Sequence, residues 1–321
     1  MNFSFDDGAD IQDIIDRYKS EDPAVRRVAV MDLIDSADDP DATDLAVQAL
    51  SDSDAGVRAE AARVLDEFEG EEVIAALLDA LADEDEQVRL AAAETLSENK
   101  DESAGPAILE RVNAEDPFVK ASCLRALREL RLPESHAVAL SCLEHEAPEV
   151  RREAVGVLAY LKDDNVLLAL MNAARNDSDP MVRKVAVGSL IFTRSARASE
   201  ALIAALADEN WQVREEAAFI MGKVGLPEGV EPLIDAMNDE YWQVRVKAAG
   251  SLGSLKNPAA VPVLGHALSY NISNLRKEAA TALGQIAAPE GLPFLEAASK
   301  DVDPDVRKIA QWAIDQIRKN S

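Results

Sequence analysis

The chain has 321 residues, a formal net charge of −27 and a composition that is 48% hydrophobic but only 4% aromatic. Such an acidic chain lacks the basic stripe that phosphate contacts need, which argues against nucleic acid as a partner, and no apolar run approaches a membrane span. The charge is lopsided: residues 1–120 hold 10 Lys/Arg against 33 Asp/Glu, a net of −23, and residues 121–321 hold 23 against 27, a net of −4.

The head, MNFSFDDGAD, is acidic where a secretory leader is basic, so a cytoplasmic location is expected. Beyond it a Val-Arg pair, or a near equivalent, recurs every 31 or 32 residues. The pairs are Val25-Arg26, Val57-Arg58, Val88-Arg89, Val119-Lys120, Val150-Arg151, Val182-Arg183, Val213-Arg214, Val244-Arg245, Leu275-Arg276 and Val306-Arg307. Each opens a segment with apolar or small residues at helical offsets, as in VRAEAARVL at 57–65 and VREEAAFIM at 213–221. Asp22-Pro23, Asp116-Pro117, Asp179-Pro180 and Asp303-Pro304 place an N-cap carboxylate before a proline at the first helical position. Gly70, Gly225, Pro227, Pro258 and Pro289 mark the stops. Between a stop and the next start lies a shorter apolar segment such as VEPLIDAMND at 230–239, long enough for about three helical turns. The unit is helix A, a tight turn, then helix B. A pair this small cannot bury its stripe alone, so the pairs must stack, and ten of them predict an all-α, right-handed α-solenoid occupying residues 1–321 as one domain.

The motif order of Asp, Val-Arg, paired Ala and Leu-Gly is clearest in DENWQVREEAAFIMGKVG at 208–225. It resembles the short HEAT-like repeat of phycobilisome lyases and related proteins. The resemblance covers essentially the whole chain. It implies either a scaffold or a bilin (tetrapyrrole) lyase or cofactor-insertion chaperone, for which Lys184, Arg194, Lys223 and Lys247 are available to meet propionates. The tetratricopeptide and ankyrin signatures are absent.

Six aspartates, Asp52, Asp83, Asp177, Asp208, Asp239 and Asp301, each stand six residues before a motif Arg, and stacking such repeats can produce a charge-assisted ladder. Cys123 and Cys142 are the only cysteines and read as buried free thiols. His145-Glu146 is a single pair; the iron-binding HEAT-like hydroxylases need several, and no cluster has zinc spacing, so no metal is expected. No phosphate loop or nucleophile arrangement appears, so catalysis is not expected.

The second half carries the candidate binding residues. Repeats 7 and 8 put Trp211 and Trp242 where other repeats have Pro; Tyr241 precedes one and Tyr270 occupies the turn of repeat 9, predicting a rim of large rings. The fifth residue after each motif Arg should face the concave side, and there Gly156, Gly188 and Gly250 flank Phe219, with Tyr160 and Phe192 four residues further along their helices. Glycine costs about 1 kcal/mol in a helix interior, so close approach of something to the backbone is expected. Repeat 9 departs from the pattern, with Leu275, Asn271, Asn274 and Tyr270 at positions otherwise Val or acidic.

The expected function is a non-enzymatic scaffold or assembly factor that holds a partner protein in the concave groove of repeats 5–9. The anchors would be Tyr160, Phe192, Trp211, Phe219, Tyr241, Trp242 and Tyr270, with Gly156, Gly188 and Gly250 giving room. The acidic limb could attract a basic partner surface or keep a long rod soluble. A purely structural spacer is the third reading. The chain is expected to be a monomer, or a dimer through a C-terminal apolar edge at Trp312 and Ile314, with no cofactor unless the tetrapyrrole reading holds.

Overall fold

The structure is a computed structural model that describes residues 11–159, 164–192 and 196–320. Among these residues there are twenty α-helices and no strand. They form ten A/B pairs: α1 (Ile11–Tyr18) and α2 (Pro23–Met31), α3 (Pro40–Ala49) and α4 (Ala55–Val64), α5 (Glu71–Ala80) and α6 (Glu86–Glu98), α7 (Gly105–Arg111) and α8 (Pro117–Leu130), α9 (Ser135–Cys142) and α10 (Pro148–Leu158), then α11 (Asp164–Asn176) and α12 (Pro180–Ser189), α13 (Ala196–Ala205) and α14 (Trp211–Val224), α15 (Val230–Ala236) and α16 (Trp242–Leu255), α17 (Val261–Ala267) and α18 (Ser273–Ile286), α19 (Leu292–Ala298) and α20 (Pro304–Asn320). Every motif pair falls in the first turn or so of a B helix. The architecture is an α-solenoid of helix pairs, which pack as two compact units divided between Leu161 and Lys162; α1–α10 belong to the first and α11–α20 to the second.

The local signals act as their chemistry dictates. Asp22, Asp116 and Asp179 accept from the backbone N–H groups of Ala24, Phe118 and Met181 at 2.7–2.9 Å, satisfying donors that a helix start leaves unpaired. Gly225 closes α14 at φ 74°, a left-handed conformation that suits glycine.

Within each unit, a B helix packs on its own A helix and on the B helices before and after it. The motif Val or Leu is the centre of that contact: from Val57 to Val306 each is at most 2% exposed, whereas Val25, in the first pair, is 37% exposed. Repeats 7–10 bring their B helices very close through Gly222, Gly253 and Gly284. A Cβ on Gly222 would stand 2.7 Å from Ser251 Cα, and one on Gly253 would stand 2.7 Å from Ala282 Cα. Ser251 Oγ uses this proximity to donate to the Ala218 carbonyl of α14 at 2.6 Å, as Thr95 does to Ala62 at 2.8 Å in the first unit.

The motif arginines form the expected ladder, with one change of partner. Each binds the backbone carbonyl, not the carboxylate, of the residue six positions before it: Arg58 Nη1 to Asp52 O at 3.0 Å, Arg214 Nη1 to Asp208 O at 2.8 Å. The Asp side chain turns to the arginine of the preceding repeat. Arg26–Asp52, Arg58–Asp83, Arg183–Asp208, Arg214–Asp239 and Arg276–Asp301 are each bidentate through Nε and Nη2 at 2.6–3.0 Å. Each of these aspartates also accepts the backbone N–H two residues on, at 2.8 Å. Burial would raise Asp83, Asp208 and Asp239, but the guanidinium and the backbone N–H outweigh it, so all three lie below the usual carboxylate range. At Asp52 and Asp301 the arginine hydrogen bond is the leading cause of the same lowering.

Cys123 and Cys142 are free and buried, as expected. Burial pushes the Cys123 thiol up to about 12 and raises Cys142 as well, which leaves both protonated and inert at neutral pH.

Candidate functional site

The predicted residues fall into separate places. Gly156 lies in the first unit, Tyr160 lies outside the described residues, and the other eight belong to the second unit. Two of them, Phe219 and Gly250, line a cleft of about 220 Å³ on the B helices α14, α16 and α18, together with Lys223, Lys247, Ser254, Glu278 and Gln285. Trp211, Tyr241, Trp242 and Tyr270 sit at the other end of the same helices, eight residues or about 12 Å along α14 from Phe219 in the case of Trp211. Phe192 ends a short 3-10 turn, Leu190–Phe192, and is 52% exposed.

In the cleft, Phe219 is covered by two ammonium groups. Lys223 Nζ, one turn along α14, and Lys247 Nζ, from α16, each lie 5.2 Å from its ring centroid, within cation–π range. Lys247 also stands between two half-buried carboxylates, Glu216 and Glu278. Burial raises the pKa of both; Lys184 and Lys247 offset this in part at Glu216, and Lys247 does so at Glu278. The glycines explain how these acids reach their places. The space a Cβ would fill on Gly188 is taken by Glu216, on Gly250 by Glu278 and on Gly156 by Arg128; the two acids come from the following B helix and the arginine from the preceding one. Sequence reasoning marked the glycines but not the side chains laid across them; an acid two residues after Arg214 and Arg276, one repeat beyond each of two glycines, was the available signal.

The sign of the Glu278 effect follows from its raised pKa. Its folded-state contribution is fully present below the unfolded value near 4.5 and is lost as pH rises through the folded value. Glu278→Gln should therefore raise stability at pH 7 and leave it unchanged near pH 4, as read from urea midpoints at the two pH values.

At the rim, Trp211 and Trp242 are the first residues of α14 and α16, the position proline holds elsewhere. Trp211 stacks on Tyr241 with centroids 5.4 Å apart and planes 13° from parallel. Arg214 lies over Tyr241 at 5.7 Å and Arg245 over Tyr270 at 5.4 Å. Tyr241, Trp242 and Tyr270 remain 38–39% exposed. At the C-terminal end, Trp312 lies against Gly284 and is 42% exposed, but Ile314 is buried at 3%, so the apolar edge expected there lacks one of its two members.

Among the described residues no group of three or more His, Cys, Asp and Glu could hold a metal ion, and no helix is long and apolar enough to cross a membrane. His145 serves the local backbone, since its Nδ1 accepts the N–H of Ala147 at 3.1 Å, the bond that the ladder aspartate makes in other repeats.

These stacked pairs with buried Val-Arg motifs define a helical-repeat protein. The sequence profile of HEAT repeats matches residues 11–97, 74–144, 136–222, 199–271 and 230–315, and the chain belongs to the HEAT-repeat family. No curated relative matches it in sequence. Among solved structures, yeast importin-β is 14% identical with a TM-score of 0.66 over 97% of this chain and 50% of its own. YibA of E. coli is 18% identical with a TM-score of 0.55, over 86% of this chain and 92% of its own. The chain thus spans about half the length of the importin-β it matches. Human deoxyhypusine hydroxylase, at 23% identity over 86% of this chain and 96% of its own, superposes poorly, with a TM-score of 0.36.

Proposed function

We propose that this chain is a non-enzymatic scaffold or assembly factor that holds a partner protein on the aromatic-bearing helices of its second unit, repeats 7–9. The observation that carries this reading is the cluster of Tyr241, Trp242 and Tyr270 in two adjacent repeats, each more than a third exposed in a chain otherwise poor in aromatic residues. Rings with a polar handle beside arginines are the residue types that dominate binding energy at interfaces. Phe219 with its two lysines adds a second anchor point. Importin-β, a neighbour in fold, has been captured in a complex with Nup1, a precedent for protein binding by such an array. The acidic first unit would add long-range attraction for a basic partner surface. The short-repeat lyase type suggested by residues 208–225 would make the partner a client of tetrapyrrole attachment. Against that, the cleft at Phe219 is smaller than the 300–1,000 Å³ usual for small-molecule sites and suits a single side chain better than a planar macrocycle.

The test is co-purification of tagged chain from its native lysate, wild type beside a Phe219→Ala/Trp242→Ala/Tyr270→Ala variant. A stoichiometric partner retained by the wild type should be lost by the variant, with the variant's thermal unfolding shifted by only a few degrees. Undiminished retention by the triple variant would sink the proposed surface.

A further inference from the structure

Between consecutive repeats of the second unit the ladder is incomplete at one place. Arg183, Arg214 and Arg276 each hold the carboxylate of the residue 25 positions on, but 25 positions beyond Arg245 stands Tyr270. The rest of that rung is intact. Arg245 Nη1 donates to Asp239 O at 3.1 Å, and Tyr270 O accepts from Arg276 Nη1 at 2.9 Å, as at the other rungs. Only the carboxylate is missing. The guanidinium, which cannot lose its charge, faces the Tyr270 ring instead, and its Nε is buried with no hydrogen-bond partner. Arg89 in the first unit also lacks an aspartate and lies over Phe118 at 5.7 Å, yet it leaves no such buried unpaired nitrogen.

We propose that Arg245 is an open carboxylate site, filled by an Asp or Glu side chain from an acidic segment of a partner and bordered by Trp242 and Tyr270. The chemistry is set by the neighbouring rungs. At this register a planar carboxylate meets Nε and Nη2 of one arginine and the backbone N–H two residues on, which in repeat 9 belongs to Ile272. The fork of a guanidinium matches two carboxylate oxygens at once. Tyr270 is 38% exposed and Trp242 39% exposed, so the ring over Arg245 lies at the surface, where an incoming segment can displace it and pack against both rings. This inference rests on the reading that the rim of repeats 8 and 9 docks a partner, and it adds what that partner must present.

The experiment needs no partner. Arginine Nε–Hε resonances of the ¹⁵N-labelled full chain are followed as an N-acetylated Asp-Glu hexapeptide is added, the Arg245 signal being assigned by its absence in Arg245→Lys. The Arg245 resonance should shift saturably while those of Arg183 and Arg214, already paired, stay in place. Tyr270→Asp fills the rung from within: it should raise the thermal midpoint and weaken the peptide by about tenfold or more, whereas Tyr270→Phe should bind as the wild type does. An unmoved Arg245 resonance, or equal binding by Tyr270→Asp, overturns the proposal. The triple-alanine co-purification is scored separately, so a failed carboxylate site and a failed docking surface give different patterns.

Discussion

Arg183→Ala should lower stability by about 3 kcal/mol or more, the largest effect expected of any single truncation on the ladder. The Arg183 and Asp208 side chains are only 6% and 10% exposed, so removing the guanidinium strands a carboxylate that water reaches poorly. It also releases Asp177 O, held at 2.9 Å. The two partners sit on consecutive repeats, so the loss falls on the α12–α14 interface. Urea unfolding combined with amide hydrogen exchange in those helices would measure both the size and the place; a change under about 1 kcal/mol would mean that the rung contributes no more than a surface ion pair. The pH dependence has a definite sign. The Asp208 pKa is depressed in the folded chain, so its contribution is present above the unfolded value near 3.8 and is lost as pH falls through the lower folded value. The difference between wild type and Arg183→Ala should hold from pH 7 to about pH 4 and shrink below that.

Gly222→Ala and Gly156→Ala should move stability in opposite directions, although both place alanine inside a B helix. Alanine is favoured over glycine there by about 1 kcal/mol when nothing else changes. At Gly156 the new methyl would meet Arg128 Cδ at 3.1 Å, part of a flexible side chain that can step aside, so a gain of roughly 0.5–1 kcal/mol is expected. At Gly222 it would meet the Cα of Ser251 at 2.7 Å, and backbone cannot step aside without parting α14 from α16 and pulling Ser251 from the Ala218 carbonyl. A net loss of about 1–3 kcal/mol follows. Thermal melts of the two variants decide it, and equal signs would show that helix approach is not what the glycine at this register secures.

Much of this fold can be read from the 31- or 32-residue period alone, because a buried Val or Leu in every repeat but the first marks where the B helix begins and in four repeats an Asp-Pro pair fixes its first turn. The ladder was legible as an ingredient list and not as a wiring. Asp208 precedes Arg214 by six residues in sequence, yet its carboxylate belongs to Arg183, since an aspartate leaving the turn points its carboxylate back along the stack and meets Arg214 through its carbonyl. The rim aromatics were visible as departures from proline at Trp211 and Trp242, but the stack of Trp211 on Tyr241 depends on the spacing of neighbouring helices. The cleft was hardest to foresee. Lys223, Lys247 and Glu278 are ordinary charged residues in an acidic chain, and what sets them apart is convergence around Phe219 from three helices and, for Lys247 and Glu278, a half-burial that no local pattern announces.

The ladder aspartate touches three things at once: the arginine behind it, the arginine ahead of it and the start of its own B helix. All of its bonds close within one period, so within each unit a rung that has both its arginine and its aspartate is built from the same donors and acceptors. Excision of residues 208–238 would bring Asp239 to the place of Asp208, facing Arg183 with an identical set of donors and acceptors. A gene encoding such a chain can lengthen or shorten by whole copies through unequal recombination without inventing a new interface, while any gain or loss that is not a multiple of the period would leave a rung unmatched. Copies that keep the rung are therefore equivalent at that joint and free to diverge at their exposed rings, which is where repeats 7–9 have departed from the rest.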